Sequence, residues 1–222
     1  MRTSIPAPIH KKPELQRPPT MAEPQRLLSL CPSLTELVCA LGLGARLVGR
    51  TKFCVEPAAE LSAVPTVGGT KDPRLPRILD LKPDLVLLNA EENRREDYEA
   101  LLAAGLTCHT SLPQSPNDAA HLARELGQVL GAPKPGEAIA QEIEDRLSAL
   151  RHDLQSRPPV GFIALIWRRP WMALGPDCYA SRLLSAAGGH NLLEDPRAPA
   201  GEPSTRYPTL ELPDLTRRNP AR

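Results

Sequence analysis

The stretch Arg74–Leu88, RLPRILDLKPDLVLL, constrains this chain more than any other. Leu75, Ile78, Leu79 and Leu81 recur at the three-to-four-residue interval of an amphipathic helix. Lys82-Pro83-Asp84 then breaks it, because proline has no amide hydrogen and pushes the preceding residue toward extended backbone. Leu85–Leu88 is apolar at every position, as suits a strand covered on both faces of a parallel sheet. The same pattern starts again near the C-terminus. Leu210, Leu212 and Leu215 mark a helix over Leu210–Thr216, and Arg218-Asn219-Pro220 repeats the turn. Aligning Pro83 with Pro220 places Arg222 where a second strand would begin, so a two-lobed α/β chain is expected, with its C-terminal lobe incomplete.

The rest of the chain alternates in the same way. Arg26–Cys31 reads as a short buried strand. Ser33, with Glu36 three residues on, reads as the capping box of a helix over Leu34–Leu41 that ends at Gly42 and Gly44. Leu47–Gly49 is a second strand, and the loop from Arg50 to Asp72 carries Phe53, Cys54 and the Gly68-Gly69 turn. Asn93, with Glu96 at the capping-box position, opens a helix to Ala104, and Leu106–Thr110 is the next strand. This β-α-β-α-β order predicts a parallel sheet flanked by helices. From Ser115 to Leu154 the apolar positions Ala119, Leu122, Leu126, Val129, Leu130, Ile139, Ile143, Leu147 and Leu150 predict a long helical bridge, interrupted over Gly131–Gly136. Beyond Pro158-Pro159, Val160–Ile166 reads as one buried strand, Tyr179–Ala187 as a helix, and the region of Leu192 as a further strand. The expected organisation is a Pro-rich disordered segment over 1–25, an N-terminal α/β lobe over 26–114, a helical bridge over 115–157 and a C-terminal α/β lobe over 158–222.

Composition excludes several function classes. A net charge of +1 supplies no field for nucleic acid or an anionic membrane. No run approaches the roughly 20 apolar residues of a membrane span. Pro6, Pro8, Pro13, Pro18, Pro19 and Pro24 crowd a start that lacks the apolar core of a secretory signal, so a cytoplasmic protein is expected as written, with Met1 or Met21 as its first residue, and a periplasmic or cell-surface one if the start is misassigned. The 5 cysteines are widely spaced, without a C-x-x-C, which argues against a disulfide framework or a structural zinc site and for buried thiols. His109, His121, His152 and His190 are scattered, so no metal site of the protein's own is expected. No P-loop, G-x-S-x-G or G-x-G-x-x-G motif is present. An α/β enzyme using Ser33, Cys54 or Cys178 as nucleophile is the least favoured reading, since no base accompanies them in a recognisable motif.

Four segments carry a family resemblance: RLLSLCPSLTELVCALGLGARLVGRTKFC (26–54), VGGTKDPRLPRILDLKPDLVLLNAEENRRED (67–97), LIWRRPWMALGPDCY (165–179) and SRLLSAAGGHNLLED followed by RYPTLE (181–195, 206–211). Together they resemble the periplasmic-binding-protein-like domain for iron chelates and cobalamin, nearest its cobalamin-binding branch and the helical-backbone metal receptors. The resemblance implies two parallel-sheet lobes bridged by a long rigid helix (the class III arrangement), and a non-catalytic monomer that captures cobalamin or a related iron or metal chelate in an interlobe cleft. It implies no covalent cofactor, and an ABC-type uptake permease as partner. Members that feed a transporter dock through an acid on each lobe. Pro76 and Pro213 stand at those positions here, with Asp80, Glu211 and Asp214 nearby. This leaves open a degenerate or cytoplasmic interaction module of the same fold.

Carried over to this chain, the ligand-lining residues are Pro32 and Ser33, then Lys52, Phe53 and Cys54, then Gly69 and Thr70, then Ala90, Glu91, Glu92 and Asn93. The C-terminal lobe adds Trp167, Arg168, Trp171 and Tyr207. Bland alternatives stand beside these. Ser33 and Asn93 also fit helix caps, Glu91 and Glu92 suit a positive helix terminus, Cys54 suits a core, and either tryptophan could close one.

Overall fold

The computed structural model describes residues 23–193, 206–211 and 213. It divides into two compact units. The first comprises residues up to Leu112 together with Ala123–Ala138, and the second comprises Pro113–Leu122 with the chain from Ile139 onward.

In the first unit, β1 (Leu27–Ser29), β2 (Leu47–Arg50), β3 (Leu85–Asn89) and β4 (Cys108–Ser111) form one parallel sheet in the order β2-β1-β3-β4. All five residues of β3 are buried, because right-handed crossovers place helices on both faces of a parallel sheet. Leu28, Val86 and Leu88 pack with Ile78 of α3 (Leu75–Asp80) and Leu101 of α4 (Arg95–Ala103). Helix α1 (Pro32–Ala40) lies against β1 and β3. Each fully buried leucine contributes about 1.5–3 kcal/mol relative to exposure. A short helix α2 (Ala58–Leu61) interrupts the loop after β2.

Polar staples set the register of the sheet. The Asp84 carboxylate accepts the amides of Gln25 and Arg26 at 2.9 Å each. The Arg26 guanidinium in turn donates to the carbonyls of Leu81 and Lys82. The turn that ends α3 is thus tied to the start of β1, and Glu23–Gln25 are held although the sequence suggested disorder through residue 25. The remainder of that segment lies outside the described residues.

The helical bridge resolves into α5 (Pro116–Leu130) and α6 (Pro133–Leu154). The break spans only Gly131-Ala132, because Pro133 and Pro135 fall in the first turn of α6, where proline is tolerated. Ser115 caps α5 by accepting the Asp118 amide. Gly127 and Gly136 bring the two helix backbones close. A Cβ on Gly127 would lie 2.9 Å from Gly136 Cα, and one on Gly136 would lie 2.6 Å from the Ala123 carbonyl oxygen.

The second unit departs from the reading of Val160–Ile166 as one buried strand. The run splits into β5 (Val160–Phe162) and β6 (Leu165–Arg168), and Val160, Leu165 and Ile166 are exposed. Strand β5 pairs parallel with β8 (Gly189–Asn191), the strand expected near Leu192. Strand β6 instead turns into an antiparallel hairpin with β7 (Trp171–Ala173), which also pairs with β9 (Thr209–Leu210). Leu210 is therefore in a strand and does not start a helix. Most of the expected helix beyond it lies outside the described residues. Helix α7 (Tyr179–Ala186) carries the chain from β7 to β8. Asn191, buried at the end of β8, donates to the Leu174 carbonyl and Ser181 Oγ and accepts the Leu193 amide.

Candidate functional site

The parallel order of the first sheet reverses between β1 and β3, since β2 lies to one side of β1 and β3 to the other. Loops leaving the carboxyl ends of two such strands diverge, and the crevice they leave is where open α/β sheets bind ligands. Every candidate of the first unit lies on this edge. Pro32 and Ser33 follow β1, Lys52–Cys54 follow β2, Gly69 and Thr70 form the next turn, and Ala90–Asn93 follow β3.

These segments are bonded to one another. The Lys52 amide donates to the Gly68 carbonyl at 2.8 Å. Lys71 Nζ donates to the Glu91 carbonyl at 2.8 Å. Asn89 Oδ1 accepts the amides of Glu91 and Glu92, which turns the chain sharply at the end of β3. Asn93 joins three segments: its Oδ1 accepts the Asn89 amide at 2.9 Å, and its Nδ2 donates to the carbonyls of Leu30 and Thr70 at 3.0 Å each.

Accessibility sorts the candidates. Ser33, Lys52, Phe53 and Glu92 are exposed, and Pro32 and Glu91 are half-buried. The Phe53 ring is 53% exposed, with Lys52 Nζ 5.1 Å from its centroid. Its Cε2 atom would lie 3.2 Å from a Cβ on Gly69. The side chains of Cys54, Thr70, Ala90 and Asn93 point inward and are buried, as is Gly69. These residues shape the loops rather than offering side chains to a ligand. Cys54 Sγ lies 3.1 Å from Thr51 Oγ1, and Arg50 Nη1 donates to the Cys54 carbonyl.

Two capping expectations are corrected. The N-cap of α1 is Cys31, with Pro32 at the first helical position, so Ser33 falls inside the first turn, its Oγ 3.3 Å from Cys31 Sγ. Asn93 is likewise not a cap. The N-cap of α4 is Arg94, and the Asn93 amide group is spent on the rim. Burial, and secondarily the charge of Glu92, lifts the Cys31 thiol above its ordinary value, so it stays protonated at neutral pH. Cys178 is also buried and donates to the Gly175 carbonyl, a poor setting for a nucleophile. Among the described residues, no cluster of three or more His, Cys, Asp or Glu side chains could hold a metal ion. No described helix is long and apolar enough to cross a membrane.

In the second unit the β6–β7 hairpin displays the tryptophans. Trp167 is 65% exposed and pairs in register with Met172. Arg168 is opposite Trp171, its guanidinium carbon 5.7 Å from the indole centroid. Ile166, Trp167, Arg168 and Arg169 line an open depression of about 540 Å³. Half-buried Tyr207 lies in the segment that runs beside β7, where the Pro208 carbonyl accepts the Ala173 amide. The sequence reading missed Asn89, Lys71 and Arg50. An asparagine closing an apolar strand is the one local signal that could have marked the first of them.

Open α/β sheets serve enzymes and binding proteins alike, so comparison with known proteins decides the class. The relatives are binding proteins. This chain belongs to the periplasmic binding protein family, whose model matches residues 27–209. It is 28% identical over 205 residues to the vitamin B12-binding protein of Vibrio parahaemolyticus, covering 90% of this chain and 71% of that one. The crystal structure of the periplasmic vitamin B12 binding protein of Vibrio cholerae matches with a TM-score of 0.77 at 25% identity, covering 89% of this chain and 74% of that one. The periplasmic heme-binding protein of Roseiflexus sp. RS-1, in apo form, matches with a TM-score of 0.74 at 26% identity, covering 88% and 74%. At family level the role is therefore binding, without catalysis. The same matches overturn the cytoplasmic placement drawn from the first residues, because the family is one of periplasmic proteins.

Proposed function

We propose that this protein captures a cobalamin, haem or related metal chelate at the carboxyl edge of its first sheet, as the substrate-binding component of an ABC-type uptake system. The observation that carries the reading is the exposed Phe53 ring on the loop that leaves the carboxyl end of β2, with Lys52 beside it and that loop bonded to the Gly68-Gly69 turn. An exposed aromatic face with a few polar neighbours suits a flat macrocycle with polar edge groups. In the second unit, Trp167, Arg168, Trp171 and Tyr207 are the candidate contacts, with three aromatic rings and a guanidinium for a carboxylate or amide edge. Relatives named for vitamin B12 and for heme support the ligand class.

Titrating the protein with cyanocobalamin, haemin and ferric chelates while following tryptophan emission tests the reading. Saturable quenching by one of them at micromolar concentration is expected, and no response to any would refute it. A second reading, an interaction module of the same fold without transport, is favoured by one observation. Exposed Pro76, in the first turn of α3, occupies the position where the resemblance places a docking acid. A protein that binds a chelate but fails to stimulate any permease would support that second reading.

A further inference from the structure

We infer that Asn93 is a positioning residue: it holds three rim segments in register before any ligand arrives, so affinity depends on a side chain the ligand does not touch. The inference rests on reading the rim as the binding surface. Asn93 is 4% exposed and is reached from segments far apart in sequence. Leu30 ends the β1 segment, Thr70 belongs to the turn after Gly68, and Asn89 closes β3. The carboxamide has two N–H donors, one for each of the carbonyls of Leu30 and Thr70, and an oxygen that takes the Asn89 amide. Its orientation is determined by these partners. Reversing the group would set its NH2 against the Asn89 N–H and its oxygen against two carbonyls.

No other side chain fits this place. Aspartate has the right shape but no donors, and would point an oxygen at each carbonyl. Glutamine adds a methylene that a buried site cannot absorb without moving a loop. Alanine leaves three buried backbone groups without their partner. The tie also reaches the exposed residues. Asn89 shapes the turn bearing Glu91 and Glu92, and Lys71 next to Thr70 bonds the Glu91 carbonyl. Pro32 and Ser33 follow Leu30 by two and three residues. Loosening Asn93 therefore frees three rim segments together.

The test compares wild type with Asn93→Ala and Asn93→Asp by amide hydrogen exchange without ligand, and by affinity for cyanocobalamin and haemin. Faster exchange is expected over 30–33, 68–72 and 89–93, with β4 and the second unit unchanged. Affinity for whichever probe wild type binds should fall about 10–100-fold, the range typical when an outer positioning partner is removed. Protection should return at saturating probe, which a globally damaged fold would not give. Unchanged exchange in those segments of a folded variant overturns the inference, as does unchanged affinity. If wild type binds neither probe nor a ferric chelate, the binding reading fails while the exchange arm still decides whether Asn93 holds the rim. If both variants fail to fold, the wild-type Asn89 amide decides. Its acceptor is Asn93 Oδ1, so exchange at the free-peptide rate refutes the tie and strong protection supports it.

Discussion

Gly127→Ala separates two arguments that predict opposite signs. Gly127 lies inside the 15-residue helix α5, where replacing glycine by alanine should stabilise by about 1 kcal/mol through helix propensity alone. The new Cβ would meet the Ala132 carbonyl oxygen and Gly136 Cα, each at 2.9 Å. Both are backbone atoms, which cannot swing aside as a flexible side chain does. Overpacking of this kind costs about 1–3 kcal/mol, so a net loss of up to about 2 kcal/mol is expected, or a fall of about 2–4 °C in Tm per kcal/mol. Gly136→Ala should lose more. Its Cβ comes within 2.6 Å of the Ala123 oxygen, and the first turn of α6 gains little from propensity. Ala138→Gly, at an exposed site on α6, calibrates propensity and should cost about 1 kcal/mol. The double variant should be less damaging than the two losses added, because both methyls open the same gap. Calorimetry is the assay, read in the transition that includes the first unit. A higher Tm for Gly127→Ala would refute the close-approach argument.

Further outcomes follow from other sites. Asn191→Leu should destabilise the second unit by about 2–4 kcal/mol, since each buried group left unpaired costs about 1–3 kcal/mol; urea unfolding followed by tryptophan emission reads this directly, as both tryptophans lie in that unit. Phe53→Ala should weaken chelate binding about two- to tenfold, the worth of one aromatic contact, with unfolding shifted by no more than about 0.5 kcal/mol at so exposed a site. Stability should decline in alkali. Burial lifts Cys108 from 9.0 to about 12, and burial with Glu60 lifts Cys39 to about 11. Above pH 9 the unfolded chain loses thiol protons that the native state keeps, so stability falls as pH rises through these values. Cys108→Val should flatten that slope in denaturant titrations at pH 8–11, and an unchanged slope would contradict the assignment.

The alternation of apolar strands and amphipathic helices was legible in the residues themselves, because each signal is local. Leu85–Leu88 announces a buried parallel strand, and the stripe from Leu122 to Leu150 announces α5 and α6. The features that escaped depend on distant partners or on competition between neighbours. Asn93 looks like a cap until Leu30, 63 residues away, is placed beside it. Pro32 preorganises the first helical position and displaces Ser33 from the cap, although Ser33 has the better capping side chain. The run Val160–Ile166 gives no local hint that it divides between a parallel and an antiparallel pairing. The candidate contacts of the first unit all fall at the carboxyl edge of the sheet, but which of them face outward is decided by packing, and periodicity cannot report it.

The burial of the five thiols makes the molecule its own unfolding gauge. All five cysteines are free and buried. Cys31, Cys39, Cys54 and Cys108 belong to the first unit and Cys178 to the second. A thiol reagent added under mild denaturing conditions can react only where the fold has opened, and each adduct adds a known mass. Molecules carrying one adduct would report opening of the second unit alone, those carrying four would report the first, and five would mark complete opening. The order in which these species accumulate would give the relative lifetimes of the two units without mutation, dye or ligand.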